Sequence, residues 1–322
     1  MASMRALVWD GTEARVVERP EPQPTDDMAV VRVALAGVCN TDLELVKGYM
    51  RFRGTLGHEF VGTVVEGPPV WRGRRVVGEI NFACGNCRYC IQGWRRHCPH
   101  RRVMGILGAD GAFAELVAVP VGNLHAVPDG VADEAAVFTE PLAAAFEILA
   151  QIQVPSGSDA LVLGDGKLGL LVAQVLDQAG MRVLVVGKHD NKLALLQDRG
   201  IETRTLRDWR RLPAPLVVEA TGTAEAFALA VEVTQPRGTL VLKSTVAESR
   251  PVNLATLVVN EITLVGSRCG TFPPALDALA ARRIDVQLLV STEVPLARAA
   301  DALRLAARPG VLKVLIRNDS AR

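Results

Sequence analysis

The sequence lacks a net charge of either sign, a long apolar run and an internal repeat. Its 36 Lys and Arg residues against 35 Asp and Glu residues leave a formal charge of +1. No global attraction to nucleic acid or to a membrane surface is therefore expected. Asp, Lys or Gly interrupts the apolar stretches at short intervals, and the N-terminal stretch has no apolar signal-peptide core. These absences predict a chain without membrane spans, and a cytoplasmic location is the expectation.

Cysteines are also few, and their distribution excludes a disulfide framework. The chain has six, and four of them fall within residues 84–98, which is typical of reduced thiols that hold a metal. The hydrophobic content of 49% over 322 residues argues against disorder and supports the cores of two domains.

The four clustered cysteines have the spacing of a metal site. Successive members are three, three and eight positions apart, so four thiolates can surround one Zn²⁺ and leave no coordination position open. A closed cage is structural rather than catalytic. The sequence therefore predicts a structural zinc held by Cys84, Cys87, Cys90 and Cys98.

The predicted secondary structure changes near residue 133. Short Val-rich runs broken by Gly and Pro precede it and predict a β-rich region. Alternating strands and helices follow it and predict a parallel sheet with helices on both faces. Residues 133–152 predict a helix with Pro141 near its start or at a break, and residues 310–317 predict a closing strand.

A glycine-rich turn follows an apolar strand and opens a helix, as the G-x-G-x-x-G motif of dinucleotide-binding folds requires. Phosphates would lie at the helix N-terminus, where free N–H groups favour anions. An ordinary glycine-rich turn is the alternative. The predicted cofactor contacts here are Gly164, Gly166, Lys167, Leu168 and Gly169.

The end of the next strand indicates the type of dinucleotide. NAD sites usually carry an acid there, which binds the ribose 2′-hydroxyl. This chain has Gly187 followed by Lys188 and His189, and cations can pair with a 2′-phosphate. NADP(H) is therefore favoured over NAD(H). If the strand ends later than assumed, Asp190 could be the acid that binds the ribose, and NAD(H) would be the cofactor. The alternative for Lys188 and His189 is that they lie in a solvated loop without a role in binding.

Four residues could hold a second, catalytic metal. Cysteine, histidine and carboxylate are zinc ligands, and three of them leave a position open for a substrate oxygen. Each has an ordinary alternative, such as packing for the cysteine or a helix N-terminus for the last carboxylate. The four are Cys39, His58, Glu59 and Glu140.

Taken together, these motifs resemble the zinc-dependent alcohol and polyol dehydrogenases of the medium-chain dehydrogenase/reductase superfamily. The resemblance covers nearly the whole chain in the right order. It rests on the dinucleotide motif, the four-cysteine lobe and further segments: Cys39 with Thr41-Asp42, Gly57-His58-Glu59, Glu140-Pro141-Leu142 and Val217 to Gly222.

The resemblance implies an α/β protein of known architecture. A GroES-like β-rich catalytic domain would occupy residues 1–142, with the zinc lobe at 84–98. A Rossmann domain with a doubly wound parallel sheet would occupy 143–272, and residues 273–322 would return to the catalytic domain. A homodimer or homotetramer is also implied, with 257–266 as a strand edge for subunit pairing.

The implied reaction transfers a hydride between NAD(P) and a small alcohol or polyol, or the matching ketone or aldehyde, with two Zn²⁺ per chain. Thr41 would carry the proton, and Glu44 stands where the family commonly has the histidine of a proton relay. Either Glu59 or Glu140 would be the carboxylate ligand. The remaining implied cofactor contacts are Thr221 and Lys313, the latter near the pyrophosphate, with a strand-edge lysine as its alternative.

Several residues have weaker interpretations. Arg51 and Arg53 could recognise an anionic group on the substrate, although a solvated loop is the simpler interpretation. Arg268 could line the cleft near the nicotinamide, and packing is the default for Cys269.

Two other classes of function remain. The basic residues around Cys98 could belong to a nucleic-acid-binding zinc lobe, but the cluster is too small for a broad phosphate track. The second class is a zinc-free reductase or an inactive cofactor-binding relative. The possible zinc ligands Cys39, His58 and Glu140 argue against it, because such a protein has little need for them.

Overall fold

The computed structural model describes residues 2–23, 25–153, 155–244 and 254–318. The chain forms two compact units. Unit 1 comprises Met1–Glu140, Ala275–Ala281 and Leu289–Arg322, and unit 2 comprises Pro141–Pro274 and Arg282–Leu288.

Strands dominate the early part of the chain and helices become frequent after residue 133. The strands are β1 (Ser3–Trp9), β2 (Ala14–Pro20), β3 (Met28–Gly37), β4 (Gly54–Thr55), β5 (Phe60–Glu66), β6 (Arg75–Gly78), β7 (Asn81–Phe82), β8 (Arg102–Met104), β9 (Gly108–Ala109), β10 (Leu116–Pro120), β11 (Leu124–Ala126), β12 (Asp159–Leu163), β13 (Arg182–Gly187), β14 (Glu202–Thr205), β15 (Ala214–Glu219), β16 (Thr234–Leu242), β17 (Thr263–Gly266), β18 (Val290–Pro295) and β19 (Lys313–Arg317). The helices are α1 (Asn40–Leu45), α2 (Arg88–Ile91), α3 (Asp133–Ala136), α4 (Thr139–Gln151), α5 (Lys167–Gln178), α6 (Asp190–Gln197), α7 (Ala224–Glu232), α8 (Ala255–Val259), α9 (Phe272–Ala280) and α10 (Ala299–Ala306).

Unit 1 is built around a seven-stranded sheet in the order β11-β6-β5-β3-β19-β18, with β10 also pairing with β3. Smaller sheets, β2-β1-β4 and β7-β8-β9, accompany it. Strand β3 reads MAVVRVALAG and is buried along most of its length, because a central strand covered on both faces needs apolar residues at nearly every position. The C-terminal strand β19 pairs with β3 and β18, which brings the end of the chain into this sheet.

Unit 2 contains a six-stranded parallel sheet in the order β14-β13-β12-β15-β16-β17. The chain runs outward from β12 to β14 and then crosses to β15 on the other side. This order is that of a doubly wound dinucleotide-binding fold, in which ligands bind at the carboxyl ends of the strands where the direction reverses. The predicted α/β class, with a β-rich unit and a doubly wound unit, is confirmed.

Two local predictions need correction. The segment 133–152 forms two helices, α3 and α4; Pro141 lies near the start of α4, as one predicted alternative had it, and the break falls at Val137 and Phe138 instead of at Pro141. Pro141 is the third residue of α4, where its missing N–H has no intrahelical partner to lose. The segment 257–266 is not one strand, because Ala255–Val259 is helical and only Thr263–Gly266 is extended.

No helix in the described ranges combines the length and the apolar character that crossing a bilayer requires.

Candidate active site and metal centres

Three possible metal ligands converge in unit 1. Cys39 follows β3 as the N-cap of α1, and His58 and Glu59 immediately precede β5. Pairing of β3 with β5 brings the two segments together, because the Gly37 N–H donates to the Glu59 carbonyl at 2.9 Å. One ligand atom from each of the three side chains lies within 4.8 Å of the others. This set matches three of the four residues predicted for the catalytic zinc.

Close backbone packing fixes the turn that carries His58. Gly57 adopts a φ of +96°, and a Cβ there would lie 2.4 Å from the ring of Phe113. A Cβ at Gly105 would lie 2.4 Å from the carbonyl oxygen of Gly57, and a Cβ at Gly111 would lie 2.3 Å from the same oxygen. Three glycines from separate segments thus pack backbone against backbone, which leaves His58 little freedom to move.

Asp42 orients two of the ligands. Its Oδ2 accepts a hydrogen bond from the Cys39 N–H at 2.8 Å, and its Oδ1 lies 3.3 Å from Nδ1 of His58. Complete burial favours the neutral imidazole, yet the Asp42 carboxylate outweighs that effect and holds the pKa of His58 well above its usual value. A carboxylate on the far nitrogen of a metal-binding histidine is the arrangement that fixes such a ring. Sequence reasoning gave Asp42 no role.

Glu59 forms a fully buried ion pair with Lys313 of β19. The Lys313 ammonium also lies 5.4 Å from the centre of the Phe138 ring. The second carboxylate oxygen of Glu59, Oε1, is buried and has no hydrogen-bond partner among the described residues. An orphaned buried acceptor on a carboxylate that is grouped with a thiol and an imidazole fits a cation, so the residues present are suited to hold Zn²⁺.

The position of Lys313 excludes the alternative that it is a lysine on an edge strand. Strand β19 lies between β3 and β18, and Lys313 is 1% exposed, so it is not a strand-edge lysine. Its expected contact with the cofactor pyrophosphate stays a prediction, since the ammonium is already paired with Glu59.

The other residues expected at this site are placed as follows. Thr41 lies in α1, and its hydroxyl accepts a hydrogen bond from the Cys39 thiol at 3.8 Å. Glu44 of the same helix accepts from Lys47 at 2.9 Å. Glu140, in the first turn of α4, is half-buried and does not belong to the described ligand group of Cys39, His58 and Glu59.

The sulfurs of the four cysteines of the lobe all lie within 4.8 Å of one another. Four of the distances between their sulfurs are 3.5, 3.5, 3.8 and 3.9 Å. Zinc–sulfur bonds of about 2.3 Å in a tetrahedron require sulfurs about 3.8 Å apart, so the cage fits Zn²⁺. The N–H groups of Asn86 and Cys87 lower the pKa of Cys84 to about 6, while burial and the neighbouring thiols raise that of Cys90 to about 11.

The predicted dinucleotide motif lies between β12 and α5 in unit 2. Gly166 is the N-cap of α5, and Lys167 and Leu168 begin the helix. A Cβ at Gly169 would lie 2.1 Å from the carbonyl oxygen of Gly164, so the helix can approach the strand only because position 169 is a glycine. The turn therefore has the close helix–strand packing of the dinucleotide motif.

A neighbouring turn is held by a buried carboxylate. Oε1 of Glu219, at the end of β15, accepts hydrogen bonds from the N–H and hydroxyl of Thr221 and from the N–H of Gly222. Thr221 thus lies at the carboxyl edge of the sheet, beside β12, as expected for a cofactor contact.

The end of β13 presents the residues expected to select the cofactor. Gly187 is buried, Lys188 is exposed, and the His189 side chain is 41% exposed. Asp190 is the first residue of α6 and is exposed. Outside this site, Arg51, Arg53 and Arg268 are exposed, and Cys269 is partly buried.

Comparison with known proteins agrees with this geometry. Residues 25–129 match the alcohol dehydrogenase GroES-like domain, and residues 168–282 match the zinc-binding dehydrogenase domain. The chain is 31% identical to the sorbitol dehydrogenase of Halalkalibacterium halodurans, over 97% of this chain and 99% of that protein.

Solved structures of similar proteins extend the agreement to the fold. The alcohol dehydrogenase RspB of Escherichia coli CFT073, in complex with NADH, has a TM-score of 0.91 at 26% identity, covering 98% of this chain and 100% of its own. A zinc-binding dehydrogenase of Sinorhizobium meliloti 1021, bound to NADP, has a TM-score of 0.90 at 27% identity with the same coverage. The chain therefore belongs to the zinc-dependent alcohol and polyol dehydrogenases of the medium-chain superfamily, which are NAD(P)-dependent oxidoreductases.

Proposed function

We propose that Cys39, His58 and Glu59 hold the catalytic zinc of a polyol dehydrogenase and that a second zinc occupies the four-cysteine cage. The single observation that carries the catalytic assignment is the orphaned, buried Oε1 of Glu59, on a carboxylate that is grouped with a thiol and an imidazole. Zinc bound there supplies a Lewis acid for the substrate oxygen. Glu140 remains the alternative carboxylate, because it lies in the first turn of α4 and belongs to the same unit as the other ligands.

The residues around the ligands have distinct tasks. Asp42 holds the His58 ring and the Cys39 backbone in place through its two oxygens. Lys313 offsets part of the negative charge of Glu59. Thr41, whose hydroxyl lies beside the Cys39 thiol, takes the proton that an alcohol substrate loses when its carbon is oxidised. Glu44, whose side chain is 24% exposed, accepts that proton and exchanges it with solvent.

A test separates metal binding from proton transfer. Cys39→Ser is expected to lower the zinc content from two ions to one per chain and to abolish oxidation of polyols such as sorbitol. Thr41→Val is expected to keep two zinc ions and lower turnover about 10²–10³-fold, while Thr41→Ser retains most of the activity because it keeps the hydroxyl. Full zinc and full turnover in Cys39→Ser would refute the ligand assignment.

We further propose that the dinucleotide is NADP(H) rather than NAD(H). Support comes from the absence of a side chain at Gly187 and from the two basic residues that follow it, the exposed Lys188 and the partly exposed His189. Binding of NADP⁺ and NAD⁺ to the zinc-loaded protein by calorimetry tests this choice without a known substrate. Tighter binding of NAD⁺ would refute it.

A homodimer formed through β17 is also proposed. This strand ends the sheet of unit 2 and exposes Leu264 at 42%, and the nearby α8 exposes Val258 and Val259 at 75% and 79%. Exposed apolar edge strands favour pairing with a second chain. Light scattering should give the mass of a dimer or a tetramer, and Leu264→Lys should lower it. A monomeric wild-type protein would contradict this proposal.

The cytoplasm is the proposed location. No disulfide joins any of the six cysteines, all of which lie in the described ranges, and a reducing compartment keeps thiols available for zinc.

A further inference from the structure

Asp165, the second residue of the glycine-rich motif, occupies space at the end of the neighbouring strand β13. A Cβ at Gly187 would lie 2.5 Å from the Cβ of Asp165 and 2.6 Å from its Oδ2. The strand can therefore carry no side chain at 187 while Asp165 holds this position. An acid at this strand end is what binds the ribose of NAD in many dinucleotide folds.

The Asp165 carboxylate is turned toward the two residues that follow β13. Its Oδ2 accepts hydrogen bonds from the Lys188 N–H at 2.6 Å, the His189 N–H at 2.7 Å and Nδ1 of His189 at 2.9 Å. The side chain is 11% exposed. Burial by itself favours the neutral acid, but the His189 and Lys188 donors outweigh it and hold the pKa of Asp165 below its usual value.

These contacts determine what the loop can present to a ligand. With Nδ1 of His189 donating to Asp165, the other ring nitrogen, Nε2, is left to meet a ligand, and it donates to a phosphate oxygen when the ring is an imidazolium. The Lys188 backbone is fixed while its side chain is exposed. One carboxylate thus fixes two basic residues immediately before α6, and its own charge is offset by the donors it binds.

We propose that Asp165 is a positioning residue that makes the site selective for the 2′-phosphate of NADP(H). It fills the space of the strand-end acid found in NAD(H) sites and fixes Lys188 and His189 for contact with the phosphate. The role is distinct from that of an acid that binds the ribose directly, because the three hydrogen bonds hold the carboxylate on the loop. This inference rests on the proposed preference for NADP(H).

The test is a comparison of dissociation constants for NADP⁺ and NAD⁺, measured by calorimetry on the full-length, zinc-loaded protein. Wild-type protein is expected to bind NADP⁺ at least about tenfold more tightly, as charge-assisted contacts to a phosphate predict. Asp165→Ala should weaken NADP⁺ about tenfold or more and change NAD⁺ less than about threefold. Asp165→Asn should have an NADP⁺ affinity between those of wild type and Asp165→Ala, since its amide oxygen still accepts hydrogen bonds. Asp177→Ala, an exposed acid in α5, is the matched control and should change neither constant.

A pair of substitutions tests the shared space at Gly187. Gly187→Asp alone should weaken both dinucleotides, because its side chain would collide with Asp165. Asp165→Ala combined with Gly187→Asp should recover NAD⁺ binding and reverse the preference. Recovery of NAD⁺ binding in the double variant would show that an acid at 187 can replace the acid at 165 in the same space. A general loss of folding could not produce this result.

The outcomes distinguish this inference from the proposal beneath it. A wild-type preference for NAD⁺ overturns the choice of NADP(H), and the role of Asp165 with it. A wild-type preference for NADP⁺ that Asp165→Ala leaves unchanged or strengthens overturns the role of Asp165 alone. Equal weakening of both dinucleotides in Asp165→Ala also overturns it, because the residue then acts on the fold or on the ribose that both dinucleotides share.

Discussion

Replacing Lys313 with methionine isolates the contribution of the buried ion pair beside the zinc ligands. Lys313 is 1% exposed and Glu59 is fully buried. Methionine has a similar length and can fill the space of the lysine stem, so the substitution removes the charge with little change in packing. It leaves the Glu59 carboxylate buried with neither the lysine nor a hydrogen-bond partner for Oε1.

The cost follows from the loss of one partner of a buried pair. Such losses destabilise proteins by about 3–5 kcal/mol, because the remaining charge stays buried without compensation. We expect this cost in the metal-free protein and a smaller one in the zinc-loaded protein, since the cation offsets the charge of Glu59. Lys313→Met combined with Glu59→Met should recover most of the loss, because apolar replacement of both partners is often close to neutral.

Urea unfolding followed by tryptophan fluorescence gives the free energies. Lys47→Met is the matched control: the Lys47 side chain is 68% exposed in its pair with Glu44, and exposed pairs contribute about 0–1 kcal/mol. If Lys313→Met costs no more than Lys47→Met in the metal-free protein, the argument that a buried, uncompensated charge is left at Glu59 is refuted.

Three further predictions concern the metal cage and the turn before the zinc histidine. Cys98→Ser should lower the zinc content from two ions to one per chain by elemental analysis and reduce thermal stability; two remaining ions would contradict the cage assignment. In metal-free protein, alkylation of Cys84, with its pKa of about 6, should proceed at neutral pH and slow as the pH falls below that value. Cys90, with its pKa of about 11, should react much more slowly at neutral pH and faster as the pH rises toward that value, and peptide mass spectrometry that found equal rates would contradict the assignment. Gly57→Ala should destabilise the protein by several kcal/mol in urea unfolding, against about 1 kcal/mol for Gly73→Ala, which has a positive φ but open space around it; similar costs would show that the φ value alone matters.

The fold was predictable where a short stretch of sequence carries the whole signal. The cysteine lobe and the turn from Gly164 to Gly169 are such stretches, since their spacing and flanking apolar runs suffice to define them. The interruption between α3 and α4 was expected, but proline was a misleading marker for it. Pro141 fits the first turn of α4, so the break depends on packing and not on the proline.

The site was predictable only as a set of residue types. Cys39, His58 and Glu59 were recognisable as possible ligands, but nothing local indicated that Lys313 would neutralise Glu59 from a position 254 residues away. Such a contact depends on β19 entering the sheet beside β3. Asp42 carried a weak local signal, as an acid three residues after the helix N-cap, which is the spacing of a capping box.

The stacked glycines beneath the turn of His58 restrict how this enzyme can be re-engineered. Gly57, Gly105 and Gly111 meet through their main chains, and no larger amino acid fits at any of the three without displacing the loop. Saturation libraries aimed at new substrates should therefore leave these positions untouched. Changes of specificity, in the laboratory or in evolution, are expected at other positions around the site, because substitution of these glycines destabilises the turn that carries His58.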